Sequence, residues 1–320
     1  MLPVIDISPL FGSDAAARLA VARQIGAACE TTGFLYVSGH GIGEEVIAGV
    51  RAAQEAFFAE PVAEKQRYTR REGVYRGYIP IMPFGNNPDG VPPPLYEAFI
   101  LGDDAPPEDP EVAATGGLYG PNVWPESPAG FRAAVEPYLR AVDGVAMRLL
   151  GAFALALGQE EEALTGLFTR PLSNISLLHY LSRPDAVGAP PDALNAHRDT
   201  NAITVLLPSP VGGLEVQRPD GAYVPVPPQP GCFVVNIGNM MECWSGGRFR
   251  STMHRVHPPR ERERYSIGYF AVPDFATVVE PLPGVPVTGK ADDMAPRHAG
   301  HDLAGFVGGF DRYMREQATA

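Results

Sequence analysis

The C-terminal half of the chain constrains the fold most. Short apolar segments recur there between turn residues, at 175–180, 202–207, 213–217, 222–226, 231–237, 252–257 and 265–272. Segments this short and this regularly interrupted cannot each bury the face of a helix. They read as strands of a sandwich or barrel. The N-terminal half is of another kind. Residues 2–7 read as a short strand, and residues 15–31 carry a helical stripe of Leu19, Ala22, Ile25 and Cys29. Residues 33–37 read as a buried strand stopped by Ser38-Gly39-His40-Gly41, and a second helix is expected over 44–58. Pro61 opens a short helix through Lys65. The longest periodic segment is 131–157, with Val135, Leu139, Val142, Met147, Leu150 and Phe153 in register and Gly158 as its stop. Residues 69–126 are broken by Pro and Gly and read as long irregular connections, and 301–316 reads as a closing helix. The fold class expected is mainly β with flanking helices (α+β).

Composition removes several classes of function. With 45% hydrophobic and 19% charged residues in 320, the chain can bury a large core. Its 34 prolines and 35 glycines follow no period, which fits a loop-rich β protein and not a collagenous or disordered one. The net charge of −12 leaves no electrostatic footprint for nucleic acid and disfavours an anionic membrane surface. No apolar run approaches the roughly 18 residues of a membrane span, and the first residues lack the basic start and apolar core of a signal peptide. Three cysteines without CxxC spacing argue against a disulfide framework, so the cytoplasm is the expected compartment. Asn174-Ile175-Ser176 would matter as a glycosylation acceptor only in an exported chain. A small molecule is the expected partner; the sequence does not distinguish monomer from homo-oligomer.

Two stretches carry chemistry: Asn195-Ala196-His197-Arg198-Asp199-Thr200 and Ser251-Thr252-Met253-His254-Arg255-Val256. A His-x-Asp pair followed by a later lone His is one form of a two-histidine, one-carboxylate Fe(II) site, which leaves metal positions open. Side chains at i and i+2 of a strand share a face, so His197 and Asp199 would project inward and Arg198 outward. The same residues also suit a surface loop in which Asp199 caps the following turn. His254 and His257, three apart, face opposite sides of a strand. His254 lies inside the apolar segment and is the better ligand, whereas His257 abuts Pro258-Pro259. Ten residues past His254, Arg264 and Ser266 form another same-face pair suited to gripping a carboxylate. The alternative is a strand-edge arginine continuing the charged run Arg260-Glu261-Arg262-Glu263. Gly268 and Phe270 continue the phase.

In this order, His197-x-Asp199, His254 within Ser-Thr-x-His-Arg-Val, and Arg264-x-Ser266 resemble the isopenicillin N synthase-like family of Fe(II)/2-oxoglutarate-dependent oxygenases. The resemblance extends to Pro3-Val4-Ile5-Asp6, to the segment from Gly33 through His40-Gly41-Ile42, and to Phe57-Phe58-Ala59-Glu60-Pro61 with Glu64-Lys65. It continues through Tyr75-Arg76-Gly77-Tyr78, Asn236-Ile237-Gly238 and the run from Trp244 to Thr252, covering about residues 2 to 272. It implies a distorted double-stranded β-helix (jelly-roll) core. Residues 1–120 would form the family's N-terminal helix/strand region, 121–170 a helical support, 171–280 the core and 281–320 a C-terminal helix placed as an active-site lid, all in one compact unit.

The same resemblance implies Fe(II) held by His197, Asp199 and His254. 2-Oxoglutarate would chelate it, with the far carboxylate on Arg264 and Ser266, and O2 would be the second co-substrate. Tyr180 falls where the family often has a tyrosine on that carboxylate; a core tyrosine fits equally. His40 and His179 read as packing residues. Because Asp199 fills the position that is Gly or Ala in related halogenases, hydroxylation of an unactivated C–H in a small metabolite is expected, with release of succinate and CO2. The alternatives are a 2-oxoglutarate-independent Fe(II) oxidase of the same fold and a non-catalytic binding protein. Candidate substrate residues are Phe270, Asn201, Arg76 and Tyr78, joined by Tyr75 and by Phe306 and Phe310 of the closing helix. Arg76 could instead pair with Glu97. Residues 79–94 match no pattern.

Overall fold

The computed structural model describes residues 2–71, 74–81, 96–182, 194–257 and 262–318, with side chains omitted at 310 and 312–318. Most of the stretch 79–94 lies outside the described residues, as do Pro258, Pro259, Arg260 and Glu261. The strands are β1 (Val4–Asp6), β2 (Phe34–Ser38), β3 (Gly77–Ile79), β4 (Tyr96–Gly102), β5 (Asn174–Tyr180) and β6 (Leu194–His197), followed by β7 (Ile203–Leu207), β8 (Leu214–Gln217), β9 (Tyr223–Pro225), β10 (Phe233–Ile237), β11 (His254–Val256) and β12 (Arg264–Ala271). The helices are α1 (Ala15–Thr31), α2 (Glu44–Ala59), α3 (Val62–Gln66), α4 (Pro110–Ala114), α5 (Phe131–Ala156), α6 (Glu162–Thr165), α7 (Asn239–Trp244) and α8 (Ala299–Ala318).

Two sheets face each other as a distorted jelly roll. The larger has eight strands in the order β1-β2-β10-β7-β12-β5-β4-β3, and the smaller has four, β6-β11-β8-β9. The N-terminal strands therefore belong to the same sheet as the C-terminal ones: β2 pairs antiparallel with β10, and β4 with β5. Each strand of the large sheet contributes one face to each side. The outer face, with Leu35, Val37, Phe99, Leu101, Ile175, Leu177, Val205, Val235 and Ile267, is buried against α1, α2 and α5. Phe57 of α2 anchors that layer, its ring 4.8 Å from Phe99, 5.5 Å from Phe131 and 5.8 Å from Tyr78. The inner face carries Phe34, Tyr36, Tyr180 and Val234, packed on Leu214, Val216 and Val256 of the small sheet.

The segment read as irregular, 69–126, contains β3 and β4. The apolar run Ala98-Phe99-Ile100-Leu101 is framed by Pro and Gly, yet it pairs over seven residues with β5, so a long partner overrides weak local signals. The short helix α7 was likewise invisible to periodicity; Gly238 precedes it and four of its residues are buried. No helix among the described residues is long and apolar enough to cross a membrane.

Candidate active site

His197, Asp199 and His254 converge between the two sheets, with one ligand-type atom from each lying within 4.8 Å of the others. The histidines are brought together by pairing, since His254 of β11 stands directly opposite His197 of β6. Their ring centroids are 4.3 Å apart. Oδ1 of Asp199 lies 3.5 Å from Nε2 of His197 and 3.6 Å from Nε2 of His254. Each imidazole is oriented through its other nitrogen. Nδ1 of His197 sits 2.7 Å from the Asn195 carbonyl and Nδ1 of His254 is 3.1 Å from that of Thr252. A carbonyl only accepts, so both Nδ1 atoms carry a proton and both Nε2 atoms face the carboxylate.

Asp199 is placed differently from the strand-pleat expectation. Strand β6 ends at His197, and Asp199 lies in the turn beyond it. Its backbone carbonyl accepts from Asn239 N–H at 2.8 Å, while Oδ2 accepts from Thr204 Oγ1 at 2.5 Å and Asn236 Nδ2 at 2.7 Å. These bonds leave Oδ1 turned toward the histidines. Burial pushes the carboxyl pKa up, but His254, His197 and the Thr204 hydrogen bond outweigh it and hold the group well below the usual carboxylate range. Burial pulls His254 down. At His197 the pull of Asp199 overcomes burial and raises the value. Phe34 packs edge-on to His254 with centroids 5.4 Å apart and walls the site on one side. Arg198 points outward, 3.6 Å from Glu242, and His257 faces Glu215 at 2.8 Å, away from the three.

A second polar cluster lies at the far end of β12. Arg264 is 2% exposed and stands opposite Tyr180 of β5. Its Nε donates to the Gly212 carbonyl at 2.7 Å and its Nη1 to Ser266 Oγ at 2.9 Å, and the guanidinium lies 4.5 Å from the Tyr180 ring centre. No carboxylate among the described residues pairs with it, and burial lowers its pKa. A buried cation ringed by hydroxyls and lacking an acid is a fitted receptor for a ligand carboxylate. The donor sets therefore suit both groups: three N/O ligands with open positions for Fe(II), and a guanidinium with hydroxyls for the far carboxylate of 2-oxoglutarate.

The substrate candidates divide. Phe270 is half-buried on the inner face, its ring lying over Gly268, where a Cβ would come within 3.0 Å of it. Arg76 is buried, its guanidinium lying against Gly102 of β4 on that face. Tyr78 is not there. It pairs with Phe99 on the outer phase of the sheet and donates to Glu97 Oε2 at 2.5 Å. Glu97 is also held by Lys65 Nζ at 2.8 Å and His179 Nδ1 at 2.7 Å, so it is not the partner of Arg76. Asn201 sits inside the turn, its Nδ2 donating to the Ile203 carbonyl at 2.9 Å and to Thr204 Oγ1 at 3.1 Å, while its buried Oδ1 has no hydrogen-bond partner. It positions Thr204. On α8, Phe306 meets Tyr75 edge-on at 6.1 Å, Asp311 pairs with Arg70, and the Phe310 side chain lies outside those described. His40 packs on Phe233 at 4.5 Å.

Sequence reasoning missed Thr204 and Asn236 as the residues that aim Asp199. Asn236 had a signal, its place in the Asn-Ile-Gly motif; Thr204 had none.

With this geometry in hand, comparison with known proteins places the chain. Residues 2–127 match the family described as the N-terminal part of non-haem dioxygenases in morphine synthesis, and residues 173–273 match the 2OG-Fe(II) oxygenase superfamily. A 2-oxoglutarate-dependent dioxygenase of Monascus ruber is 37% identical over 280 residues, covering 84% of each chain. A homoarginine-6-hydroxylase of Oryza sativa subsp. japonica is 31% identical over 300 residues, covering 88% of each. Among solved structures, a 2OG-Fe(II) oxygenase family protein from Caulobacter crescentus superposes with TM-score 0.80 at 29% identity, covering 98% of each chain. The full-length Neurospora crassa protein in complex with alpha-KG and thymine shares the fold, with TM-score 0.83 at 23% identity and 97% of each chain covered. The chain belongs to the 2OG-Fe(II) oxygenase superfamily. It is a non-haem Fe(II)- and 2-oxoglutarate-dependent dioxygenase.

Proposed function

We propose that His197, Asp199 and His254 hold the Fe(II), that Arg264 with Ser266 and Tyr180 holds the far carboxylate of 2-oxoglutarate, and that the reaction is hydroxylation of a C–H bond in a small metabolite. The observation that carries this reading is the convergence of two carbonyl-oriented Nε2 atoms on Oδ1 of Asp199. Bound there, iron and 2-oxoglutarate supply the oxidative chemistry: O2 is reduced, the keto acid leaves as succinate and CO2, and one oxygen atom goes to the substrate.

The protein's own part is orientation and exclusion of water. Thr204 and Asn236 fix the carboxylate of Asp199, leaving one oxygen for the metal. The carbonyls of Asn195 and Thr252 fix the imidazoles. Arg264, anchored to Gly212 and Ser266, holds its fork still for a bidentate grip, while Phe34, Phe270 and Leu178 line the inner face with apolar surface. Hydroxylation is supported by the complete ligand set at Asp199 and by the rice relative, which is a homoarginine-6-hydroxylase. A small substrate is supported by the thymine and alpha-KG bound in the Neurospora structure.

The test is anaerobic. Protein is loaded with Fe(II), 2-oxoglutarate is added, the weak visible charge-transfer band of the chelate is recorded, and oxygen is then admitted and succinate assayed. The band and succinate are both expected, and Arg264→Leu is expected to raise the 2-oxoglutarate requirement steeply. Iron binding without band or succinate would overturn the co-substrate assignment, and failure to bind iron would overturn the ligand assignment.

A further inference from the structure

Two guanidinium groups are buried on the inner face with no carboxylate partner among the described residues. Arg264 has hydroxyls and a carbonyl around it. Arg76 is 1% exposed and has almost nothing: Nη1 donates to the Tyr75 carbonyl at 2.8 Å, while Nε and Nη2 have no hydrogen-bond partner. The nearest acids, Asp103 and Asp104, are exposed and act on it only through space. An uncompensated buried cation is a liability for a fold that has no use for it.

Its surroundings are cleared for it. The guanidinium lies on Gly102 of β4, where a Cβ would come within 2.3 Å of Nη2 and 2.5 Å of Cζ. Directly opposite Gly102 on β5 is Asn174, 2% exposed, whose Oδ1 is also without a partner. Opposite Asn174 is Phe270, opposite Phe270 is Thr204, and opposite Thr204 is Asn236. The last two are the residues bonded to Asp199. One cross-strand row therefore runs from the carboxylate of the candidate iron site to the unpartnered guanidinium. Three strand spacings, about 14 Å along the sheet, separate Thr204 from Gly102. Ile79, Ala98 and Ile100 form an apolar wall beside this end of the row, with Tyr75 packed against them.

We infer that Arg76 is the anchor for a carboxylate on the primary substrate, so that the enzyme oxidises a small organic acid at a C–H remote from that carboxylate. Asn174 Oδ1 accepts a hydrogen bond from a hydroxyl or N–H on the same molecule, and Phe270 packs on its apolar middle. This rests on the assignment of the co-substrate to Arg264, which leaves Arg76 for the substrate. Arg76 is then a specificity residue, with no part in oxygen chemistry.

The experiment uses the full chain loaded with Fe(II) and saturating 2-oxoglutarate under nitrogen, so that Arg264 is already filled. A series of ω-phenylalkanoates and their matched primary carboxamides is titrated by calorimetry into the wild type, Arg76→Met and Arg76→Lys. Acids of the series should bind the wild type more tightly than their amides. Arg76→Met should weaken acid binding about ten- to a hundredfold, to the level of the amide, and Arg76→Lys should fall between. The Tm of Arg76→Met should be no lower than that of the wild type, because the variant removes an unpaired buried charge. The inference is overturned if no acid is preferred over its amide, if the preference survives Arg76→Met, or if Arg76→Met loses stability that Arg76→Lys restores. A chelate band retained in Arg264→Leu and lost in folded Arg76→Met would overturn the co-substrate assignment as well. An unchanged acid preference with the band behaving as assigned would overturn this inference alone.

Discussion

The two faces of the eight-stranded sheet share every strand and differ in nearly everything else. On β5 the outer phase reads Ile175, Leu177, His179 and the inner phase Asn174, Ser176, Leu178, Tyr180. On β12 the outer phase is Tyr265, Ile267, Tyr269 and the inner Arg264, Ser266, Gly268, Phe270. The outer face is closed by three helices, and its cluster of Lys65 and Glu97 with His179 and Tyr78 is held together by hydrogen bonds. The inner face keeps polar groups whose hydrogen bonds are incomplete, among them Arg76 and Asn174. A charge paired on its own face stabilises the fold; a buried guanidinium without an acid leaves bonds for a ligand.

Substitutions on the two faces should separate function from stability, and the largest effect tests that most directly. Asp199→Ala should weaken iron binding on the order of a hundredfold or more, measured by anaerobic equilibrium dialysis on protein that thermal melts show to be folded; unaltered affinity would refute its role. Phe99→Ala, on the outer face, should do the reverse. Loss of a ring packed on Phe57 and Phe131 should cost about 3–5 kcal/mol in denaturant unfolding, with iron affinity of the folded protein retained.

Thr204→Val keeps the side-chain shape and removes one of the two bonds to Asp199 Oδ2 together with the bond from Asn201, so iron affinity should fall roughly ten- to a hundredfold with a smaller loss of unfolding free energy. An equal loss of stability would mean that the turn, and not the carboxylate, depends on it. The smallest effect is in the acid limb of the stability curve. Burial raises Glu97, but hydrogen bonds from His179, Lys65 and Tyr78 win and its pKa lies below the ordinary 4.5. A depressed carboxylate stabilises the fold above that value and loses the contribution as pH falls through the folded pKa. Glu97→Gln should therefore show a shallower decline of Tm below about pH 4.5 than the wild type, whatever its Tm at neutrality; parallel declines would show that Glu97 contributes nothing to acid sensitivity.

Much of this was legible beforehand because it is written in local spacing. Seven short apolar segments foretold β5 and β7 to β12, though not β6, and α1 and α5 followed from a stripe of period 3.6. The His-x-Asp and Arg-x-Ser spacings, with His254 preferred over His257, led to the two polar clusters. What failed did so for identifiable reasons. Strands β3 and β4 were hidden because their stability comes from β5, more than seventy residues further along the chain from β4. Tyr78 was assigned to the substrate space because without β3 there was no pleat to decide its face. Asn201 was placed by extending a strand phase past its end, where the backbone turns.

The sequence alone determined which chemical groups this protein owns and in what order: two imidazoles, a carboxylate and two arginines on an alternating apolar frame. Only the tertiary structure decided which hydrogen bonds those groups keep. Thr204 and Asn236 reach Asp199 from different strands, and Arg264 is met by Gly212 from a distant loop. Arg76 is left with two unpaired donors beside Gly102. Saturation of a buried polar group depends on neighbours far away in the chain, so no local pattern encodes it.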